Sequence, residues 1–231
     1  MRPQMIVFTT AIFLTSMSLA TEQLDIFSSA AVLSQSVSPS VPENLEDLAA
    51  FRKAFEARYI PSGAMLLTLQ INERVLIDKH AYQSETPKRG DIVIFNLTEE
   101  LKKQNFREPF LYRIIGLPGE TVEIKTGKVY INTRPLQEDY IAEPPHYQYG
   151  AIKIPANSYF VLGDNRNNAY DSHYWGFVSR ALIFGKAIGI YCPVERQQVL
   201  DTSIPLSPKN KAVLSTVQEL FRNSPSLCNL N

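Results

Sequence analysis

The residues best suited to chemistry lie in the turn Pro61-Ser62-Gly63-Ala64-Met65. This turn breaks an apolar run, and such a turn aims a small side chain out of a sheet edge, where many hydrolases carry a nucleophile. The side chain at that position is the methyl group of Ala64. The hydroxyl of Ser62 is a substitute candidate, although a serine in such a turn commonly bonds its own backbone.

A serine nucleophile also needs a base that works near neutral pH and donors for the developing oxyanion. The charged residues nearest to Ser62 in sequence lie on stretches typical of solvated strand ends: Arg58, Lys79 and Lys88. The histidines His80, His146 and His173 lie in polar loops or turns, which favours pairing or surface roles. Histidines and cysteines without short spacings predict no metal site, and no cofactor is expected.

Two further segments combine turn residues with closely spaced charges. They are Tyr112-Arg113-Ile114-Ile115-Gly116-Leu117-Pro118-Gly119-Glu120 and Gly163-Asp164-Asn165-Arg166-Asn167-Asn168-Ala169-Tyr170-Asp171-Ser172. In order and spacing, the three segments resemble the motifs of the bacterial signal peptidases I, the leader peptidases that use a Ser-Lys pair. Those motifs are Pro-Ser-x-Ser-Met-x-Pro-Thr-Leu, Lys-Arg-Val-Ile-Gly-Leu-Pro-Gly-Asp and Gly-Asp-Asn-Arg-x-x-Ser-x-Asp-Ser. The resemblance covers roughly residues 55 to 195.

The resemblance assigns three catalytic positions, and all three carry other residues here. Ala64 stands at the position of the nucleophilic serine, Tyr112 at that of the lysine base, and Ala169 at that of the serine that orients the lysine. In the family, burial lowers the pKa of the lysine so that its neutral amine accepts the serine proton. A phenol has an ordinary pKa near 10 and is a poor substitute. The resemblance therefore implies a homologue without the catalytic groups.

The residues around this centre match the family. The resemblance implies that Ser62 helps to bind the oxyanion and that Met65 packs beside the nucleophile position. Arg113 and Asp171 match a pair that holds the third motif against the core, although His173 replaces an arginine often found there. The supporting charges Asp164 and Arg166 are also present.

Two functions of different classes follow from the resemblance. One is a binding protein, a pseudoenzyme that holds signal-peptide-like segments of exported preproteins or associates with an active signal peptidase. The other is an active signal peptidase I that uses Ser62 as its nucleophile. A lysine amine within hydrogen-bond reach of Ser62 would favour the second. The balanced charge, with 23 basic and 23 acidic residues, gives no sign of nucleic-acid binding.

Length and composition predict one medium-sized folded unit, because 231 residues that are 45% hydrophobic suffice to bury a core. The expected fold is mainly β, an antiparallel coiled-sheet, barrel-like core with a small inserted β subdomain over about 122–154. Alternating or apolar runs predict strands at 66–69, 74–79, 91–95, 110–115, 121–125, 129–131, 159–162 and 181–191, and a polar exposed connection over 99–107.

The two ends of the chain are predicted to lie outside this β domain. Residues 1–20 read as an export signal that is cleaved, with a retained short membrane anchor or a buried helix as alternatives. Residues 21–54 would form a tether and an amphipathic helix, with the tether over 28–42 and the helical spacing over 43–59. These features predict a location on the non-cytoplasmic side of a membrane, periplasm or lumen, soluble if the signal is cut and otherwise membrane-anchored.

The C-terminal part, 196–231, is predicted as a linker and a short helix. Apolar residues at helical spacing place this helix over 211–222. Cys192 and Cys228 could pair in an oxidising compartment and tie the tail to the core, but two cysteines do not establish a bridge.

Overall fold

The computed structural model describes residues 45–200 and 207–229. The predictions of a signal peptide or anchor over 1–20, and of a tether over most of 21–54, lie outside the described residues. In the part of the chain that is described, no helix combines the length and the apolar character needed to cross a membrane.

A curled antiparallel sheet of eight strands forms the main body, as expected for the mainly β fold class. Its strands pair in the order β1-β2-β11-β3-β4-β9-β10, and β12 pairs with β11. Both faces of the central strands are covered, so β3 is buried at every residue and β11 at nine of ten. The bounds are β1 Phe55–Tyr59, β2 Arg74–Asp78, β3 Ile92–Phe95, β4 Phe110–Gly116, β9 Ser158–Leu162, β10 Val178–Ser179, β11 Ile183–Cys192 and β12 Gln198–Val199.

The predicted insertion forms a second, smaller sheet with the strand order β7-β6-β5-β8. Its strands are β5 Thr121–Lys125, β6 Lys128–Ile131, β7 Arg134–Pro135 and β8 Tyr149–Lys153. Gly127, with a φ of 72°, turns β5 into β6, a conformation that glycine adopts without strain. Ile115, Phe160 and Leu162 belong to the same buried cluster as the inner residues of this sheet, so the subdomain shares its core with β4 and β9.

The N-terminal helix is shorter than predicted. Helix α1 spans Leu45–Ala54, and the next five residues form β1, which pairs with β2 along its whole length. The prediction of a helix through Tyr59 is therefore wrong, because a strand partner satisfies the backbone groups of Phe55–Tyr59 better than an isolated last turn would.

Two further segments differ from the sequence prediction. Residues 66–69 form turns rather than a strand, and the backbone N–H of Leu69 donates to the carbonyl of Met65 at 2.8 Å. The polar connection contains helix α2, Glu99–Lys103, which buries Leu101 completely. The hydroxyl of Thr98 caps this helix by accepting from the Leu101 N–H.

The C-terminal helix α4, Pro208–Asn223, confirms the predicted amphipathic segment. Its buried stripe includes Val213, Leu214 and Val217, and packs with Phe51 and Phe55 into a second core on the face of β2 and β11. Cys192 at the end of β11 and Cys228 beyond α4 form a disulfide. The tail is therefore fastened to the sheet, which the sequence left open. A short helix α3, Ser172–Trp175, lies within the third motif.

Candidate functional site

The turn that carries Ala64 is held in place by the third sequence motif. Gly63–Met65 form a single 3-10 turn, with Met65 buried and Ala64 half-buried. The backbone N–H of Asn165 donates to the Ala64 carbonyl at 3.1 Å, and its side-chain amide donates to the Gly63 carbonyl at 2.9 Å. The first and third motifs, about a hundred residues apart in sequence, therefore form one structural unit.

Gly163 allows the closest approach within this unit. A Cβ atom at Gly163 would lie 2.4 Å from Cβ of Ala169 and 2.5 Å from the carbonyl oxygen of Ala64. Real Cβ atoms do not come that close to other atoms, so a residue without a side chain is required here. The nucleophile position and the orienting position of the family thus lie on the two sides of one glycine.

Tyr112 lies on β4 and is 5% exposed. Its hydroxyl donates to the carbonyl of Tyr170 at 3.1 Å, and Nε1 of Trp175 donates to the same oxygen at 2.9 Å. Burial, followed by the negative charge of Asp171, raises the pKa of the Tyr112 phenol well above its ordinary value. The phenol therefore remains protonated at neutral pH and does not accept a proton there.

Ser62 is exposed and has an extended backbone, with φ −139° and ψ 161°. Its side chain makes no capping bond to the turn that follows. Ser62 lines two adjoining cavities, and among the residues described no lysine lines either of them. Within the described part of the chain, the charged side chains on their walls are those of Arg58 and Glu108. A lysine amine within hydrogen-bond reach of Ser62 would have favoured Ser62 as a nucleophile, and the described cavity walls offer none.

Ser62, Ala64, Tyr112 and Ala169 line one cleft. The structure thus brings together all the positions that the motifs assign to catalysis and to the oxyanion. The cleft continues as a groove of about 480 Å³ between β1 and the start of β4, with Met65 and Ile94 also on its walls. We refer to this cavity as the strand groove.

A buried ion pair fixes the second motif to the third. The guanidinium of Arg113 donates to both carboxylate oxygens of Asp164, at 2.8 and 2.6 Å, and its third nitrogen donates to the carbonyl of Gly90. Thr68 adds a hydroxyl donor to the same carboxylate. Two parallel bonds from a planar guanidinium are the strongest form of such a contact. Arg113 supports the third motif as expected, but its partner is Asp164 and not Asp171.

Asp171 supports the motif by other contacts. One of its oxygens accepts the backbone N–H of Gly163 at 2.9 Å, and the other lies 2.6 Å from Nδ1 of His173. The His173 ring stacks on Tyr147 of the inserted segment, with 4.0 Å between ring centroids. His173 thus takes the place of the absent arginine and is a pairing residue, as its position predicted.

Arg166 joins the third motif to the inserted segment through a residue that the sequence did not single out. Its guanidinium donates to both oxygens of Glu138 at 2.9 and 2.6 Å, and both side chains are almost fully buried. The ring of Tyr140 lies 4.1 Å from the Arg113 guanidinium carbon. The sequence signal for Glu138 and Tyr140 was weak because both lie in a loop without regular structure.

A turn with a small side chain, a serine beside it and a strand-lined groove at one cleft are the parts of a serine peptidase of mainly β fold. The comparisons agree: the family model "Signal peptidase, peptidase S26" matches residues 47–192, and the chain belongs to that family. Arg113, Asp164, Arg166 and Asp171 all fall within the matched region.

Individual relatives are also named as signal peptidases. The chain is 54% identical over 145 residues to "Probable signal peptidase I-2" of Synechocystis sp., covering 63% of this chain and 66% of that one. It is 54% identical over 143 residues to "Signal peptidase I" of Leptolyngbya laminosa, covering 61% and 70%. A signal peptidase I from Enterococcus faecalis of known crystal structure is 34% identical, with a TM-score of 0.38 and coverage of 44% and 97%.

Proposed function

We propose that this protein is a non-catalytic member of the signal peptidase family that binds extended, signal-peptide-like segments on the non-cytoplasmic side of a membrane. The observation that carries the proposal is the cleft itself. Its turn, its groove and its supporting ion pairs are in place, while a methyl group, a phenol and a second methyl group occupy the positions of the proton-transfer groups.

The chemistry of the cleft supports the absence of hydrolysis. A serine hydroxyl attacks a carbonyl only if a nearby base takes its proton. Tyr112 is held neutral and already donates its proton to the Tyr170 carbonyl. The guanidinium of Arg58 is a hydrogen-bond donor and offers no acceptor for the proton of Ser62. The carboxylate of Glu108 also lies on the groove wall, but it is 84% exposed and lies 3.9 Å from the Arg58 guanidinium. Among the described residues of the cleft, Ser62 therefore has an exposed hydroxyl but no buried base beside it.

The strand groove supports peptide binding. Among the described strands, β1 pairs only with β2, so its other edge presents unpaired backbone donors and acceptors beside the groove. An extended peptide can add to such an edge as a further strand, with side chains entering pockets on alternate residues. Residues of β1 and the turn after it form one wall, and Phe110, Leu111 and Tyr112 form the other. Signal peptides of preproteins, or a segment of an active signal peptidase, are the proposed partners.

The second candidate is an active signal peptidase I with Ser62 as nucleophile. Two observations support this candidate: Ser62 is exposed, and it lies where the two cavities meet. A basic group would have to reach Ser62 from the peptide or from a partner, and this requirement makes it the weaker candidate.

Cleavage of a preprotein reporter by the full-length protein separates the two candidates. The variants are Ser62→Ala, the double reversion Ala64→Ser with Tyr112→Lys, and the triple reversion that adds Ala169→Ser. If the wild type does not cleave the reporter and a revertant does, the cleft is intact and lacks only its catalytic groups. Cleavage by the wild type that is lost in Ser62→Ala would refute the non-catalytic proposal. Direct binding of a fluorescent signal peptide to the wild type tests the binding function.

A further inference from the structure

The cleft lined by Ser62, Ala64, Tyr112 and Ala169 is a cavity of about 470 Å³, which we call the aromatic chamber. It shares Ser62, Ala64, Phe110 and Tyr112 with the strand groove, so a peptide in the groove continues directly into it. Its walls carry the rings of Phe106, Phe110, Tyr112, Tyr170 and Tyr174.

These rings are fixed by one another. Tyr170 stacks between Phe106 and Tyr174, with centroid distances of 5.8 and 5.0 Å and interplanar angles of 25° and 27°. Phe110 meets Phe106 and Tyr112 edge-on, at 5.1 and 5.8 Å. The Tyr170 hydroxyl donates to Oε1 of Gln104 at 2.6 Å, which holds the middle of the stack. The chamber is therefore shaped before anything enters it.

Charge distinguishes this chamber from the strand groove. Arg58 and Glu108 lie on the walls of the groove, whereas none of the described residues that line the chamber carries a charged side chain. The polar groups there are neutral, the amides of Asn167 and Asn168 and the tyrosine hydroxyls. Tyr174, at the outer end of the stack, is 64% exposed, an unusual amount for so large an apolar ring within a cluster. Such a surface attracts an uncharged ring and disfavours a carboxylate, which the negative ring faces repel.

We propose that the aromatic chamber is a specificity subsite that receives an aromatic side chain of the bound peptide. This inference rests on the proposed peptide-binding function. The family resemblance implies that the bound peptide carries a small residue where a signal peptide is cut, and we place this anchoring residue at Ala64. The residues before it then lie in the strand groove, beside the outer edge of β1. The chamber is then left for the residues that follow. Successive residues of a strand point to opposite sides, so one of the first two residues after the anchor points its side chain into the chamber.

Fluorescence anisotropy with a set of labelled peptides tests the subsite on the full-length protein. All peptides share the segment up to the small residue, and differ in carrying Gly, Phe, Asp or Lys at each of the next two positions. We expect Phe at one of these positions to bind about three- to tenfold more tightly than Gly, the effect of adding one or two ring contacts. Asp should bind no better than Gly, and Lys, whose ammonium can lie over a ring face, should bind no better than Phe.

Variants of Tyr174 assign the effect to the chamber. Tyr174→Ala should remove the preference for Phe, whereas Tyr174→Phe should keep it, because the ring and not the hydroxyl makes the contact. Tyr130→Ala is the matched control, since Tyr130 lies on β6 of the small sheet and outside both cavities. Melting temperatures of all variants show that they are folded.

The outcomes distinguish this inference from the function on which it rests. Equal binding of the Phe and Gly peptides, or an equal loss for both in Tyr174→Ala, overturns the subsite while peptide binding stands. Failure of every peptide to bind the wild type overturns the proposed binding function itself.

Discussion

The disulfide between Cys192 and Cys228 is the contact whose contribution to stability can best be calculated. It joins the end of β11 to the turn after α4, with a sequence separation of 36 residues. In the folded state the same segment is also held by the buried stripe of α4 and by the side-chain amide of Gln218, which donates to the Ile190 carbonyl at 2.7 Å. Those contacts remain when the bond is cut, so the main change is in the unfolded chain.

Loop entropy sets the magnitude. Closing a loop of this length removes conformational entropy from the unfolded state that corresponds to about 4 kcal/mol at 25 °C. Cys228→Ser is the suitable perturbation, because Cys228 is half-buried whereas Cys192 is 1% exposed. Replacing Cys228 therefore adds the smaller cost for burying a hydroxyl.

Urea unfolding of the full-length protein, followed by fluorescence of its single tryptophan, measures the change. With a typical dependence on urea of about 2 kcal/mol per M, the midpoint should fall by about 2 M. Wild type in the presence of a reductant should match Cys228→Ser. Ser226→Ala changes an exposed residue of the same turn and should leave the midpoint unchanged. A midpoint for Cys228→Ser equal to that of the oxidised wild type would refute the loop-entropy reasoning.

Three further predictions concern the cleft. Gly163→Ala should lower stability by about 1–3 kcal/mol and shift the melting temperature, because the new methyl group would overlap Ala169; an unchanged melting temperature would contradict the close approach. Asp164→Asn should cost about 3–5 kcal/mol in urea unfolding by leaving Arg113 buried without its counter-charge, and a loss below 1 kcal/mol would contradict this role. The raised pKa of Tyr112 means that above pH 10 the unfolded chain loses a proton that the folded chain keeps. The free energy of unfolding should therefore fall as the pH rises past 10, and it should fall less steeply in Tyr112→Phe. An equal dependence of the unfolding free energy on pH in the two proteins would count against a buried neutral phenol.

The sequence predicted the mainly β fold well because its strands carry their own signals. The apolar runs of β3, Ile92–Phe95, and β11, Ile183–Cys192, are typical of central strands that are buried on both faces. Gly and Pro mark the turns between successive strands. The helical prediction over 55–59 failed for a different reason. Phe51 and Phe55 have helical spacing, but the pairing of β1 with β2 is a tertiary contact that local periodicity does not reveal.

Helix α2 was predictable and was missed. Thr98 supplies the cap, Glu99 and Glu100 lie in the first turn, and Lys102 and Lys103 lie in the last turn. This is the charge order that complements the helix dipole. Its short length and polar surface made the segment resemble a loop. In the candidate site the four motif positions Ser62, Ala64, Tyr112 and Ala169 line one cleft. The pairing of Arg113 with Asp164 depends on strand order and could not be read from spacing.

The persistence of the three motifs has a physical cause that is independent of catalysis. Arg113, Asp164 and Arg166 are buried charges, and removing one partner leaves the other uncompensated in the core. Gly163 cannot carry a side chain without displacing the motif. Ala64 lies on the cleft wall, and a serine hydroxyl there would serve chemistry rather than folding.

Selection for folding alone would therefore retain the supporting residues and release the catalytic ones. Peptide binding is accordingly argued from the open cleft and not from these supporting residues. Ser62 and Tyr174 are exposed, line the cleft and lie outside the buried clusters, which is why the cleavage and binding experiments rely on them.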